Sequence, residues 1–374
     1  MATPLRATFC GTSYPSSPTD WKGVFLRHLL FALARREGLD LACWLPPGEI
    51  PAGARRFGQP DDADFLGRLL RSGGIAQALR RPSPRTLLAP VELLYRLHRA
   101  YRSEPRFDLH HVNWLQHALV LPDDGAPALV SALGTDMSLL SIPGMATMLR
   151  RAFKRRRVVL APNAPWMAER LHRLFGDVCE VTPVSFGIDQ RWFDIERSIA
   201  DDTPTWLVVS RVTKGKIGDL FDWAEPLFTD GRRKLVLIGP LQDDVAIPDW
   251  IDYRGAASAH DLATRWFPTA TGIITLSRHP EGRPQLMLEA AASGLPIVAS
   301  DLRAHLDFRE EGCPLEIVDT PHQFAEAVPR LEDPAINLAT GAAMRTWALA
   351  SAGTWDDCAA RYAAVYDHLA GVGR

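Results

Sequence analysis

Residues 281–300 read EGRPQLMLEAAASGLPIVAS, and this stretch carries the strongest fold signal in the chain. Pro284 precedes a run of helix-forming residues and Gly294 follows it, which is the placement favoured at the start and the end of a helix. The apolar segment 296–300 comes next, and another, 272–277, comes before. The order strand, helix, strand predicts one unit of a parallel α/β sheet.

The same alternation continues along the whole chain. Strand candidates are 6–11, 39–45, 107–113, 128–133, 157–163 and 180–186 in the first half, and 205–211, 234–239, 251–254, 272–277, 296–300 and 315–318 in the second. Two sets of six predict two doubly wound, Rossmann-like domains. We expect the first domain over 1–190, a hinge over 191–204, the second domain over 205–353, and a last helix in 354–374 that packs back toward the first domain. Residues 50–90 are rich in Pro, Gly and Arg and predict an irregular insertion.

The composition is that of a globular protein, with 47% hydrophobic and 23% charged residues. Five scattered cysteines, in no metal-ligand spacing, favour a reducing, cytoplasmic compartment. Neither a signal peptide nor a run of the roughly 18 apolar residues that a membrane span needs is expected. Residues 1–190 are net positive and the remainder net negative. The basic half suits an anionic acceptor or an anionic membrane, against the alternative of a solvated surface, and no nucleic-acid partner is expected.

The segments that follow predicted strands supply the candidate functional residues, because ligands of open α/β sheets collect at the carboxyl ends of the strands. Glu281 lies at the mouth of the helix predicted over 285–293, whose free amides attract anions. Glu289 stands on the otherwise apolar part of that helix, where an acid needs either a ligand or a neighbouring arginine. Arg211 and Lys216 follow another apolar strand and suit a diphosphate.

Weaker candidates lie in the first half. Gly23 follows the first strand, where glycine allows a backbone to approach a ligand closely. His111 ends a strand and could face a ligand, although a structural histidine with its hydrogen bonds satisfied is the commoner explanation. Thr135 and Asp136 follow the next strand, where Asp136 is expected to be an exposed acid beside Gly134. The pattern formed by Asp62 and Asp64 matches a D-x-D motif that some enzymes use for a divalent metal, but a helix start explains it better, so no metal site is predicted.

At this point the residues resemble a known family. The stretch 281–299, with two glutamates eight positions apart, is similar to the E-x7-E signature of the retaining family 4 glycosyltransferases, which have the GT-B fold: two Rossmann-like domains facing a cleft. Residues 210–216 resemble their basic donor loop, 187–189 their entry into the hinge, and 254–262 the segment that frames the nucleobase. The resemblance is strong over about 205–300 and weak over the first 130 residues.

The resemblance implies a division of roles. Arg211 and Lys216 would neutralise the donor diphosphate, with the amides of Gln285 and Leu286 contributing to the same anion site. Glu281 would hold a sugar hydroxyl near the reacting carbon and Glu289 the ribose hydroxyls. The remaining donor contacts would come from Gly23, Arg254 and Gly255. No cofactor or metal is expected beside the nucleoside diphosphate-sugar, since cations and helix amides can stabilise the leaving group.

The predicted function is transfer of a sugar, with retention, from a nucleotide-sugar to a glycan or lipid-linked acceptor, at the cytoplasmic face of a membrane. Departures from the family pattern are Leu133 where a histidine is common, Lys22 in place of the first of two glycines, and Arg283 in place of an aromatic residue; Arg283 suggests an anionic sugar or acceptor. Two alternatives stay open: a non-catalytic nucleotide-sugar-binding subunit and a nucleotide-sugar epimerase.

Overall fold

The computed structural model describes residues 3–17, 20–72, 84–198 and 203–371. The chain forms two compact units, the first from Met1–Phe186 together with Trp355–Arg374, the second from Gly187–Thr354. Each unit is built on one sheet in which the described strand pairs are all parallel. No helix of the described residues is long and apolar enough to cross a membrane.

The sheet of the first unit has seven strands in the order β3-β2-β1-β4-β5-β6-β7. Their bounds are β1 Leu5–Cys10, β2 Leu39–Trp44, β3 Ala54–Arg56, β4 Leu109–Asn113, β5 Ala128–Ala132, β6 Val158–Pro162 and β7 Glu180–Val181. The three adjacent strands β4, β5 and β6 are buried at every residue. That is the pattern of a parallel sheet covered on both faces.

Helices cover this sheet. They are α1 Val24–Ala34, α2 Asp62–Arg71, α3 Pro84–Arg102, α4 Met145–Phe153 and α5 Pro165–Phe175, with 3₁₀ helices at Leu115–Val120 and Thr135–Ser141. The expectation of an irregular insertion over 50–90 is wrong for the part that the structure describes, because β3 and α2 form there; residues 73–83 lie outside the described residues. The sequence of β3, Ala-Arg-Arg, has no apolar alternation that could have predicted it.

The last helix of the chain belongs to the first unit. We number it α14, Trp355–Ala370, and it packs on α1 and on the central strands. Its buried residues Tyr362 and Tyr366 are part of the core, where the Tyr366 hydroxyl lies 2.6 Å from Nδ1 of His111.

The second unit repeats the architecture with six strands in the order β10-β9-β8-β11-β12-β13. The strands are β8 Thr205–Val209, β9 Lys234–Ile238, β10 Asp252–Tyr253, β11 Gly272–Thr275, β12 Ile297–Ser300 and β13 Glu316–Val318. The helices are α6 Gln190–Phe193, α7 Lys214–Ile217, α8 Leu220–Phe228, α9 Ala259–Asp261, α10 Gln285–Ala292, α11 Arg303–Glu310, α12 Pro321–Arg330 and α13 Pro334–Ser351, and a π-helical turn spans Leu262–Trp266.

The division between the units falls between Phe186 and Gly187, a few residues before the start of the predicted hinge at 191. Trp192 and Ile195 are buried in the core of the second unit, and the Arg197 guanidinium donates to the carbonyls of Gly294 and Ala270. The described part of 191–204 is therefore packed into the second unit, while residues 199–202 lie outside the described residues.

Candidate functional site

The carboxyl ends of β8 and β11 are the centre of the candidate site in the second unit. The strand order places β8 beside β11, and the chain continues outward from this pair in opposite directions along the sheet. This is the topological switch point, where the loops after neighbouring strands diverge and leave a crevice. The loop after β8 carries Arg211 and Lys216, and the loop after β11 carries Ser277 and Glu281.

Lys216 and Glu281 form an ion pair across this switch point. The Lys216 ammonium donates to Oε1 of Glu281, and both side chains are about 15% exposed. The same carboxylate oxygen accepts from the Ser277 hydroxyl at 3.1 Å. Burial acts to raise the pKa of Glu281, but the charge and hydrogen bond of Lys216, with smaller contributions from His305 and the Ser277 hydroxyl, together outweigh it and hold the pKa below its ordinary value. Glu281 is therefore a carboxylate at neutral pH.

Close backbone approach holds these two loops together. Gly218 ends α7 with φ 55°, and a Cβ there would lie 2.1 Å from the Leu276 carbonyl oxygen, so only glycine fits. The Arg278 amide donates to the Gly215 carbonyl at 2.8 Å. The position of Lys216 relative to Glu281 is thus fixed by backbone contacts as well as by charge.

The start of α10 offers backbone amides at the same edge. Pro284 is the N-cap, and no side chain of the described residues caps the helix, so the first-turn amides of Gln285 and Leu286 have no intrahelical partner. The Gln285 side chain is held by its amide group, which donates to the Gly187 carbonyl at 3.0 Å. Free amides at a helix start attract anions, and the first of these follows Glu281, the partner of Lys216, by four positions.

Glu289 lies one turn into α10 and is strongly perturbed. Part of the Glu289 side chain is accessible to solvent, yet its carboxyl group is surrounded by protein atoms. Burial, with the like charge of Asp189, raises the pKa of Glu289 to about 8, and the Arg191 charge only partly opposes this. Arg191 donates to Asp189 at 2.9 Å. The alternative of a structural glutamate held by an arginine is not what the structure shows, because the nearby arginine is bound to Asp189.

Three further residues that were predicted to contact the nucleotide-sugar lie at the same edge of the sheet. Arg211 follows β8, is half-buried and has one guanidinium nitrogen 3.5 Å from the Gln242 side-chain oxygen. Arg254 and Gly255 follow the edge strand β10; Arg254 is paired with Asp252 at 2.6 Å, and the Gly255 carbonyl accepts from the Gly239 amide at 2.7 Å. The structure brings Lys216 and Glu281 into contact and places these three on adjoining loops.

Sequence reasoning missed His305. This residue of α11 is fully buried, with Nδ1 3.1 Å from the Ser300 carbonyl, and the Ser300 hydroxyl donates to the Ser277 carbonyl. Burial lowers the pKa of His305 although the Glu281 charge acts to raise it. A neutral histidine therefore lies behind the ion pair, and nothing in the local sequence of α11 distinguished it from a surface residue.

The expectation for Arg283 needs correction. Its guanidinium is buried and binds Glu311 through two hydrogen bonds of 2.8 and 2.5 Å, below the ring of Phe308. Since its charge is already balanced inside the unit, Arg283 gives no support for an anionic sugar or acceptor.

The weaker candidates in the first unit are mostly structural. His111 is fully buried, with Tyr366 at Nδ1 and the Ser131 hydroxyl 3.0 Å from Nε2, and burial lowers its pKa to about 3. Asp136, expected to be exposed, is also buried and accepts from the amides of Leu115 and Leu133. Burial raises the pKa of Asp136 to about 6. The burial of His111 agrees with the structural alternative, and the expectation that Asp136 is exposed is wrong.

Of the two remaining candidates in the first unit, Thr135 is exposed and Gly23 is packed against a loop. Thr135 is exposed at the start of its 3₁₀ helix. Gly23 is the N-cap of α1, and a Cβ there would lie 2.5 Å from the Ser13 carbonyl carbon, so the glycine allows the loop after β1 to pack on the helix start.

Metal ligands were not expected, and within the described ranges no group of three or more His, Cys, Asp or Glu side chains is arranged to hold a metal ion. Asp62 lies at the start of α2, where it is buried and accepts from the Gln59 amide and the Trp44 indole. Asp62 also pairs with Arg96 and Arg99. The helix start itself has no side-chain cap, so these contacts rather than capping account for Asp62.

Comparison with solved structures identifies the fold. Sucrose-phosphate synthase from Thermosynechococcus elongatus superposes with a TM-score of 0.72 at 16% identity, covering 99% of this chain and 100% of that chain. An α,α-trehalose-phosphate synthase from Burkholderia vietnamiensis gives 0.71 at 13%, covering 100% of both. Anabaena HepE in complex with UDP and glucose gives 0.65 at 13%, covering 97% and 99%. No family model and no curated protein matches the sequence.

These neighbours are GT-B glycosyltransferases, and this chain shares their fold of two parallel α/β units. The predicted fold class is therefore confirmed. At 13–16% identity the likeness concerns the fold, and the activity has to be argued from the site.

The raised pKa of Glu289 predicts that the stability of the protein depends on pH. Between the ordinary carboxyl pKa and about 8, the folded chain holds a proton that the unfolded chain has lost, so stability falls as pH rises through this range. We expect Glu289→Gln to unfold at nearly the wild-type temperature at pH 5 and several degrees above it at pH 8, because each unit of difference between the folded and the unfolded pKa corresponds to about 1.4 kcal/mol.

Thermal unfolding at pH 5 and pH 8 measures this difference. Glu225 is an exposed glutamate on α8, and Glu225→Gln is the control for replacing a carboxylate by an amide. A variant that is less stable than wild type at pH 8 would mean that the Glu289 carboxylate is satisfied within the protein.

Proposed function

We propose that this chain is a glycosyltransferase that takes its sugar from a nucleoside diphosphate-sugar bound in the second unit. The observation that carries the proposal is the Lys216–Glu281 ion pair at the switch point, next to the uncapped start of α10. A cation and helix amides at the carboxyl edge of a parallel sheet form an anion site. The neighbouring carboxylate suits the hydroxyl groups of a sugar attached to that anion.

The charges indicate how the site would handle a diphosphate. In the donor-free protein the Lys216 ammonium is balanced by Glu281. A bound diphosphate would compete for the ammonium, and the second cation, Arg211, follows the same strand. As the bond between sugar and diphosphate breaks, negative charge grows on the leaving oxygen, and fixed cations and amides stabilise this charge more than they stabilise the intact donor.

The two glutamates would serve different hydroxyl groups. Glu281, ionised at neutral pH, is a hydrogen-bond acceptor for a hydroxyl of the transferred sugar. Glu289, with its pKa near 8, would accept from the ribose hydroxyls, and hydrogen bonds to the charged form would lower that pKa on binding. Arg254 and Gly255, after β10, would border the base. Solved HepE complexes with UDP and with UDP-glucose support a uridine nucleotide as the first donor to test.

The finer features of the proposal rest on the family resemblance. They are transfer with retention of the anomeric configuration, independence of metal ions, a glycan or lipid-linked acceptor used in polysaccharide synthesis, and a cytoplasmic location. A binding subunit or an epimerase would use the same nucleotide site. Release of UDP from UDP-sugar in the presence of acceptor distinguishes a transferase from both.

Removing Lys216 should weaken nucleotide binding. We expect Lys216→Ala to bind UDP about 10- to 100-fold more weakly, because a hydrogen bond to a charged group contributes about 1.5–3 kcal/mol. Lys214→Ala is the matched control, since Lys214 is exposed two residues away on α7, and it should bind within about twofold of wild type. Calorimetry below the unfolding temperature of each variant measures both; equal affinity for UDP in wild type and Lys216→Ala would remove Lys216 from the site.

Chelation should leave the activity intact. Because Lys216, Arg211 and the α10 amides can neutralise the diphosphate, we expect UDP release from UDP-sugar to continue at an unchanged rate in excess EDTA. The rate is compared before and after chelation and after adding back magnesium or manganese. Loss of activity that a divalent ion restores would contradict metal independence.

We also propose that the first unit rests on an anionic membrane surface to reach a lipid-linked acceptor. The arginines that suggested this from sequence are engaged: Arg96 binds Asp61 and Arg150 binds Asp177. The support comes instead from an exposed apolar stripe on α3, Leu88, Val91 and Tyr95, each more than 60% exposed. Both α3 and α4 pack on the same 3₁₀ helix. Further exposed apolar and basic residues of the first unit lie on α4 and its flanks, namely Ile142, Met148, Arg151, Lys154 and Arg155.

A charge placed in this stripe should abolish membrane binding. We expect the wild-type chain to sediment with vesicles containing phosphatidylglycerol at low salt, and to be released as salt screens the basic residues. Val91→Asp should stay in the supernatant, whereas Leu338→Asp, a change at an exposed leucine of the second unit, should bind as wild type does. Wild-type protein that fails to sediment at low salt would end the membrane proposal.

A further inference from the structure

A chain of hydrogen bonds joins a buried histidine to the Lys216–Glu281 ion pair. Nδ1 of His305 lies 3.2 Å from the Ser300 hydroxyl, which donates to the Ser277 carbonyl at 2.7 Å. The Ser277 hydroxyl in turn donates to Oε1 of Glu281 at 3.1 Å, and the same oxygen accepts from Lys216. His305, Ser300 and Ser277 are each 0–1% exposed. The histidine is therefore connected to the ion pair through groups that solvent does not reach.

The surroundings of His305 determine which ring nitrogen carries the proton. The Ser300 carbonyl, 3.1 Å from Nδ1, can only accept a hydrogen bond, so the proton of the neutral ring is on Nδ1. Nε2 then carries the lone pair, and this nitrogen is buried without a hydrogen-bond partner among the described residues. The ring can thus take up a second proton on Nε2 without breaking an existing hydrogen bond.

The charges near His305 come from three different segments. Burial lowers the pKa of His305 most; the charge of Glu281, on the loop after β11, and that of Asp301, before α11, act to raise it, whereas the charge of Lys216, on α7, acts to lower it. Asp301 is itself paired with Arg278 at 3.1 Å. The charge beside the ring therefore depends mainly on the balance between Glu281 and Lys216, which oppose each other while they are paired.

A bound diphosphate would change this balance. Under the proposed function the Lys216 ammonium binds the diphosphate, and Glu281 loses the cation that offsets its charge. A partly buried carboxylate without a cation is unfavourable. The negative charge of the ligand opposes the effect of Lys216 on His305, so both changes favour a positively charged imidazole.

We propose that His305 takes up a proton from solvent on Nε2 when a diphosphate binds Lys216, and that the imidazolium then keeps Glu281 ionised and in place for a sugar hydroxyl. His305 does not contact the ligand; it is a positioning residue that acts through Ser277 and Glu281. The proton returns to solvent when the nucleotide leaves. The inference rests on the proposed function, and it supplies the charge that Glu281 loses when the donor binds.

The proton uptake is measured by calorimetry of UDP-glucose binding to the full chain near pH 6, in buffers with different enthalpies of ionisation. UDP-glucose keeps its charge at this pH, so the ligand itself exchanges no proton. Glu289, whose pKa should fall on binding, would release a proton, so wild type is compared with Glu289→Gln, in which this opposing change is absent. Binding to Glu289→Gln should take up a fraction of one proton, up to about one.

The affinity should also depend on pH. Between the pKa of His305 in the free chain and its higher pKa in the complex, the complex holds more protons than the free chain. The affinity of Glu289→Gln for UDP-glucose should therefore rise as pH falls through this range, by up to about tenfold for each pH unit. A histidine with a purely structural role would change the affinity without changing the number of protons bound.

Replacing His305 distinguishes it from Glu281 as the group that takes up the proton. In the Glu289→Gln chain, His305→Asn keeps an N–H donor near the position of Nδ1 but cannot be protonated, and His305→Gln is made in parallel. With either change the uptake should fall to near zero. His117→Asn is the matched control, because His117 is also fully buried, with both ring nitrogens unpaired, but lies in the first unit; it should leave the uptake unchanged.

A second measurement needs no substitution at position 305. In the ¹⁵N-labelled Glu289→Gln chain near pH 6, UDP-glucose should convert one histidine from the neutral form with a proton on Nδ1 to the doubly protonated form, as seen in the chemical shifts of the ring nitrogens.

Three results would overturn the proposal while leaving the donor site in place. They are binding of UDP-glucose without proton uptake, uptake that persists in both His305 variants, which would assign the proton to Glu281, and ring-nitrogen spectra in which no histidine changes its charge. Failure of UDP-glucose to bind the wild-type chain at any pH would instead refute the proposed function, and this inference with it.

Discussion

The partly buried ion pair between Lys216 and Glu281 is the interaction on which the candidate donor site depends. Removing either partner would leave the other charge desolvated, which is far less favourable than the intact pair. The two residues come from loops after different strands and meet only because β8 and β11 are neighbours and Gly218 permits the loops to touch. The fold thus holds an exchangeable cation where an anionic ligand would arrive.

Much of the fold and of the candidate donor site could be predicted from the sequence, because apolar strands and helix boundaries are local patterns. All twelve predicted strands are present within a few residues, and Glu281, Lys216 and Glu289 lie where their loops and helix indicated. Pairings over long separations could not be predicted. The sequence around Arg283 does not reveal its partner Glu311, which lies 28 positions away. The sequence around His111 likewise does not reveal Tyr366, which lies 255 positions away.

The two sheets present different chemistry at equivalent edges. In the second unit, charged side chains surround the switch point, and the first amides of α10 and the buried side-chain oxygen of Gln285 have no partner among the described residues. In the first unit, the buried groups near the switch point that lack a partner are the side-chain oxygen of Asn113 and the ring nitrogens of His117. The two edges therefore differ mainly in charge, because loop residues rather than strands determine the chemistry of each edge.

Polar groups that the fold leaves without partners reduce the stability of the protein. Glu289, with its raised pKa, and the unpaired oxygens of Asn113 and Asn163 all lower the stability of the ligand-free protein. A well-packed core would have apolar residues at these positions. Since a ligand that donates hydroxyl groups to Glu289 would satisfy its carboxylate, the same group that destabilises the free chain would favour the bound one at the edge of the second sheet.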